Sequence, residues 1–188
     1  METKVAKQGV VQLLHYIGED PSREGLRDTP KRFVKAFGEW FSGYKQDPGE
    51  ILSTFFEEVG GYDEVVMLRR IPFESHCEHH IAPIMGTATV AYLPDRRVIG
   101  ISKLARLVDC YSKRLQVQER MTVQIADALE EHLQPLGIAV IINASHHCMT
   151  TRGVHKPGVD MITSVMRGAF LEDSDARKEI LSLHHDRG

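Results

Sequence analysis

Ser75-His76-Cys77-Glu78-His79-His80 puts a thiol, a carboxylate and three imidazoles into six consecutive residues. The chain has three cysteines, and one of them stands here. Cys77 and His80 form a C-x-x-H pair, a spacing that lets a tight turn or one helical turn aim sulfur and nitrogen at a common point. Two ligands do not hold zinc, which is typically tetrahedral in proteins, so a third must come from elsewhere in the chain. The other segment in which cysteine and histidine cluster is Ser145-His146-His147-Cys148. Three protein ligands and one open position is the pattern of a catalytic cation, not a structural one. A free cysteine is often plain core, but two Cys/His clusters far apart in sequence make the metal reading the stronger one.

Around that centre stand groups able to move protons or hold anions. His146 and His79 flank the proposed ligands Cys148 and His80 and have the chemistry to carry a proton beside an activated water. His76 and His147 are assigned to structure, since no further ligand is required. Cys110 lies beside an apolar helical stripe and is assigned to the core. Ser102, Lys103 and Arg106 open a helix whose free N–H groups and dipole favour an anion. With Arg152 and Lys156 beyond Cys148, they read either as a polyphosphate clamp or as a solvated basic helix end. Gln118 and Glu119 begin the next helix, where a carboxylate complements the dipole. The alternative is base recognition: a carboxylate can accept from the ring N–H and exocyclic amine of guanine. Adenine lacks that donor pair and would leave the carboxylate unpaired.

The elements that must position these groups follow from composition and periodicity. With 188 residues and 42% hydrophobic content, the chain suits one main globular domain with a helical appendage. We place the division at residues 1–60, an N-terminal helical segment, and 61–188, the catalytic domain. A net charge of -3 gives no electrostatic reason to expect nucleic acid. An odd number of cysteines without framework spacing suits a reducing compartment. No stretch has the ~18 apolar residues of a membrane span and the start lacks a signal-peptide core, so the expectation is a cytoplasmic protein with no membrane partner.

Val10, Leu13, Leu14 and Ile17 predict an amphipathic helix over residues 5–17. Thr29-Pro30 predicts a second helix with the Thr29 hydroxyl as N-cap and Phe33, Val34, Phe37, Trp40 and Phe41 on one face. Residues 51–56 fit strand or helix equally. Strands are expected over 63–73, running into the Cys/His turn at Ser75, and over 86–93, with 98–101 pairing antiparallel. Ser102 is the expected N-cap of a helix burying Leu104, Leu107, Val108, Tyr111 and Leu115. Glu119 begins another, through Val123, Ala126, Leu129 and Leu133. A strand over 138–143 delivers the second Cys/His cluster, a turn at 156–158 leads to a last strand over 159–170, and the tail from 173 to 185 has a polar helical pattern. The order predicts an α+β fold: an antiparallel sheet with two helices on one face, and open edges that favour self-association into a closed homo-oligomer.

Taken together, Cys77-Glu78-His79-His80, Gly100-Ile101-Ser102-Lys103, Gln116-Val117-Gln118-Glu119-Arg120, His146-His147-Cys148 and Arg152-Gly153 resemble the zinc-dependent GTP cyclohydrolase I family. Arg23-Glu24-Gly25-Leu26 and Thr29-Pro30-Lys31-Arg32 extend the likeness, which covers nearly all of residues 23–170. The resemblance implies the tunnelling fold, in which strands of several subunits join into an oligomeric barrel, stacked as a decamer with active sites between subunits. It implies one Zn2+ per subunit on Cys77, His80 and Cys148, and a zinc-bound water of pKa ~7 attacking C8 of GTP. His146, assisted by His79, would protonate the ring nitrogen. Formate would leave, and a ribose rearrangement involving Ser102 would close the ring of 7,8-dihydroneopterin triphosphate. Gln118 and Glu119 would hold the base; Lys103, Arg106 and Arg152 would hold the triphosphate, with Arg32 from another subunit. Val159 and Met161 stand where the family carries small hydroxyl residues, and His155 where it carries Lys or Arg; all three bear on triphosphate affinity. A zinc-stabilised nucleotide-binding scaffold is the rival reading, favoured if another ligand such as His147 closes the tetrahedron. A reductase using Cys77 or Cys148 as nucleophile is a third, for which no G-x-G-x-x-G fingerprint is present.

Overall fold

The computed structural model describes residues 2–56 and 62–186. It divides into a unit that ends at Ser42 and a larger one that begins at Gly43. The first unit holds α1 (Glu2–Tyr16) and α2 (Thr29–Trp40). Pro30 sits in the first turn of α2 as expected, but the N-cap is Asp28, with no side-chain cap, and Thr29 is already helical. The aromatic face of α2 is real: Phe33 stacks on Phe37 at 5.4 Å, and Phe37 meets Phe41 at 4.5 Å.

In the second unit Asp47 caps α3 (Pro48–Leu52), its carboxylate accepting from Gly49 N at 2.8 Å, and β1 (Phe55–Phe56) follows. The ambiguous stretch therefore resolves into a helical turn and then a strand. The long strands are β2 (Val66–Cys77), β3 (Pro83–Leu93), β6 (Gly137–His146) and β7 (Met161–Gly168), with β4 (Val98–Ile99) and β5 (Leu115–Gln116) as two-residue pieces. The helices are α4 (Ile101–Ser112), α5 (Gln118–His132), α6 (His147–Thr150), α7 (Ala169–Glu172) and α8 (Ser174–His185).

The main sheet has the order β5-β2-β3-β6-β7, antiparallel except for the parallel β5–β2 pair. β4 does not fold back on β3 as expected; it pairs with β1, Phe55 opposite Ile99 and Phe56 opposite Val98. Period-two alternation sorts the strand residues. Ile84, Ala88, Val90 and Tyr92 of β3, with Ile138, Val140 and Ile142 of β6, face Leu104, Leu107 and Val108 of α4 and Ile125, Ala126 and Leu129 of α5. The opposite face is not bare. Ala91, Ala139, Ile141 and Met166 pack with Phe170 of α7 and Ile180 of α8, so the polar tail is a helix that covers the second face. Arg69 fixes its end by donating to Leu183 O at 2.5 Å and Asp186 O at 2.7 Å.

Several boundaries shift for local reasons. α4 is capped by Gly100, not Ser102, and ends at Ser112, which leaves Leu115 to β5. Val123 is 40% exposed; the buried stripe of α5 instead includes Met121, Thr122, Ile125 and Leu129. The last strand starts at Met161 and gives way to a helix at Ala169. Gly86 is required by close approach: a Cβ there would lie 2.1 Å from Asn143 O and 2.6 Å from Ala144 Cα, so β3 can lie against β6 only without a side chain.

Candidate active site

The site gathers where β2 and β6 end. With β3 antiparallel between them, both finish on the same edge of the sheet, and the pairs His76–Pro83 and Ile84–His146 set their ends level. β5 lies parallel to β2, Leu115 opposite His76 and Gln116 opposite Cys77, so α5 also begins there. Ser75, His76 and Cys77 are strand residues, and the turn expected at Ser75 falls after Cys77. That turn is tightly closed: Cys77 N donates to Ala82 O at 2.8 Å, and Ile81 N donates to Cys77 O at 2.8 Å. Ile81 has φ 54°, an uncommon conformation for a β-branched residue and one that costs on the order of 1–3 kcal/mol. Glu78 adds an ion pair to Arg120 in the first turn of α5.

Cys77, His80 and Cys148 present ligand atoms that all lie within 4.8 Å of one another. Cys77 Sγ is 3.8 Å from His80 Nδ1. A tetrahedral zinc with ordinary Zn–S and Zn–N bonds requires about 3.6 Å between those atoms, so the spacing fits to within a small adjustment. Two thiols and an imidazole are the donor set that zinc favours. Among the described residues no further His, Cys or carboxylate joins the group, and His147 is outside it. Burial, then the neighbouring Cys77 sulfur, pushes the Cys148 thiol above its ordinary pKa. A thiol so placed ionises readily only beside a cation.

His79 Nδ1 lies 3.8 Å from Cys77 Sγ, and Arg152 Nη1 is 3.1 Å from His80 Nε2, so both border the trio. His146 ends β6 with Nε2 2.7 Å from Gln118 Oε1. Burial lowers the His146 pKa, partly opposed by the Glu119 carboxylate. Glu119 is exposed at the start of α5, free to meet a ligand.

Gln118 does not stand as expected. It is 1% exposed, and its amide nitrogen shares two hydrogens among three acceptors, Ile142 O at 3.1 Å, Met161 O at 3.0 Å and Thr163 Oγ1 at 3.1 Å. With its carbonyl oxygen at His146, the side chain is committed within the protein instead of presented to a base. Ser102 and Arg106 are exposed on α4, and Lys103 Nζ donates to Ile51 O at 2.8 Å, closing the end of α3. Among the described residues none of these three hydrogen-bonds to the Cys/His group. Arg32, exposed on α2 in the first unit, pairs with Asp28 at 3.5 Å. Cys110 is buried, as assigned, with Arg114 Nη2 3.1 Å from its sulfur. His155 and Val159 are exposed, and His155 has φ 49°. Met161 enters the site through its backbone oxygen. Sequence reasoning missed Thr163, Ile81 and the Glu78–Arg120 pair; only the last carries a visible signal, opposite charges at the edges of two motifs.

Two thiols and an imidazole converge at a sheet edge and could hold a metal cation, with His79 3.8 Å from Cys77 Sγ and the Glu119 carboxylate at a helix start. The chain belongs to the GTP cyclohydrolase I family, whose model matches residues 6–185. It is 57% identical over 178 residues to GTP cyclohydrolase 1 of Maricaulis maris, covering 95% of this chain and 87% of that protein. It is 55% identical to the Hyphomonas neptunium protein of the same name (95% and 86% covered), and 50% identical to that of Allorhizobium ampelinum (97% and 90%). A solved archaeosine synthase QueF-Like overlaps more loosely, with TM-score 0.46 and 20% identity over 55% of this chain and 93% of the other.

Proposed function

We propose that this chain acts as a zinc-dependent GTP cyclohydrolase I, opening the imidazole ring of GTP, releasing C8 as formate and closing a pterin ring as 7,8-dihydroneopterin triphosphate. The observation that carries the zinc reading is the convergence of Cys77, His80 and Cys148 within 4.8 Å, with His146 ending the adjacent strand. Those three side chains would hold Zn2+, which when bound supplies a Lewis acid able to activate water near neutral pH. His146 gives a proton to the ring nitrogen as the bond to C8 breaks, and His79, 3.8 Å from Cys77 Sγ, assists. Glu119 accepts hydrogen bonds from the guanine N1–H and 2-amino group, which selects guanine over adenine. Ser102 serves the later ribose rearrangement.

Arg106, Arg152 and Lys103 hold the triphosphate. Lys103 spends one of its three ammonium protons on Ile51 O, which leaves two for phosphate. Arg32 comes from another copy of the chain. Among the described residues β5 and β7 have no further strand partner on their outer sides, which supports assembly into a closed homo-oligomer with the tunnelling fold, a decamer by family resemblance, with sites between subunits. That no fourth side chain joins the trio among the described residues favours hydrolysis over the scaffold reading. Zinc-loaded protein incubated with GTP should release formate and give a product that fluoresces after oxidation, and chelator should stop both. Turnover undiminished in metal-free protein would overturn the zinc reading.

A further inference from the structure

We propose that Gln118 is a positioning residue that fixes His146 as the Nε2–H tautomer and leaves Nδ1 as the ring nitrogen available to the substrate. The inference deepens the role given above to His146, and its second half rests on that reading. The argument begins with groups whose hydrogen-bonding sense is not adjustable. Backbone carbonyls only accept, so Ile142 O and Met161 O, at 3.1 and 3.0 Å, require the amide nitrogen of Gln118 and not its oxygen.

The hydroxyls agree. Thr122 Oγ1 donates to Gln118 O at 2.7 Å, which spends its proton. Thr163, 2.7 Å from Thr122, must then donate to it, and so accepts from Gln118 Nε2 at 3.1 Å. The hydrogen bonds run one way around a closed ring: Gln118 amide, Thr163, Thr122 and back to the Gln118 backbone. Turning the amide over would set its oxygen against the two carbonyl oxygens, a cost of about 1–3 kcal/mol for each group left unpaired.

With the amide fixed, Oε1 is the atom facing His146 at 2.7 Å, and an oxygen of this kind only accepts. Nε2 of His146 must therefore carry hydrogen. In the neutral ring the lone pair is then on Nδ1, the nitrogen left to meet the substrate. Gln118, 1% exposed, makes this choice without touching substrate. A hydrogen-bond partner that fixes the tautomer and orientation of an imidazole commonly changes activity about 10–100-fold.

The test has a structural and a kinetic arm. Neutron diffraction from the zinc-loaded, deuterium-exchanged enzyme reads the tautomer directly and requires no mutation. Density for deuterium on Nε2 of His146 supports the assignment, and deuterium on Nδ1 alone overturns it, whatever reaction the enzyme performs. For Gln118→Leu, kcat for formate release should fall about 10²-fold with KM for GTP within about threefold and zinc content unchanged. Gln118→Glu restores an acceptor toward Nε2 but not the donors to Ile142 and Met161. It should recover about tenfold of the lost kcat while remaining as thermally destabilised as the Leu variant. A purely structural staple between β6 and β7 predicts equal kcat losses in the two variants, and a base-binding role predicts a rise in KM at unchanged kcat; either result overturns the proposal. Wild-type formate release in the same assays tests the reaction itself, so the two failures are distinguishable.

Discussion

At the ends of β2 and β6, Cys77, His80 and Cys148 are placed by strand register and by a turn closed on the Cys77 backbone, all within one chain. The groups assigned to the triphosphate are placed otherwise: Arg106 is exposed on α4, Lys103 is drawn to Ile51 O, Arg32 stands on α2 in the other unit, and Arg152 alone borders the trio, 3.1 Å from His80 Nε2. The three side chains that could hold a metal thus come together in a single copy, whereas the groups proposed for the triphosphate come from several elements. Metal chemistry needs ligand atoms fixed to fractions of an ångström, which a sheet edge provides. Phosphate binding tolerates long basic side chains, which different elements or copies can contribute at little cost in precision.

The sharpest way to break this comparison is to remove a ligand. Cys148→Ser should lose zinc and lower formate release by about 10³-fold or more, since no other described side chain stands in the group to replace the sulfur. Metal analysis and a formate assay on the same preparation check both. His146→Gln keeps the three ligands and should retain zinc while kcat falls about 10²–10⁴-fold, the usual range for a lost general acid. Separating the copies by dilution should sharpen the comparison further: if, as proposed, Arg32 comes from a second copy, zinc per chain stays constant while formate release drops about tenfold or more. Sedimentation and activity measured across the same concentrations would show it. Glu119→Gln should lower kcat/KM for GTP about 10–10²-fold and narrow the preference over ATP, read by competition.

The smallest effect concerns the far face of the sheet. Burial, then His185 and Arg69, lowers the pKa of His184, whose Nδ1 lies 3.0 Å from Thr89 Oγ1. The unfolded chain then binds the proton more readily than the folded one, so this contribution is full above about pH 6.5 and is lost as pH falls through the lowered value. Thermal melts should show the wild-type advantage over His184→Gln shrinking by a few degrees between about pH 7 and 5.

The metal half was legible because its residue types are rare and its two clusters lie far apart in sequence. Cys77, His80 and Cys148 meet as the motif spacing implied, and α4 and α5 bury one face of the sheet through stripes visible in the periodicity. What the sequence did not convey depends on partners distant along the chain. β4 has two residues and found its partner in β1, over forty positions away, where local pattern offered β3. Helix starts moved because Gly100 and Asp28 enter their helices without side-chain caps, so the hydroxyls of Ser102 and Thr29 misdirected the reading. Gln118 looked like a ligand-binding amide beside Glu119; its burial follows from where β6 and β7 come together, which no local pattern records.

The account rests on one cation held by Cys77, His80 and Cys148 with room left for solvent. X-ray absorption at the zinc edge of the loaded enzyme measures this most directly. It should show two sulfur scatterers at about 2.3 Å and the remaining nitrogen or oxygen scatterers at about 2.0–2.1 Å, with one sulfur lost in Cys148→Ser. A first shell holding fewer than two sulfurs, or one filled by four protein side chains with no light oxygen ligand, would contradict it.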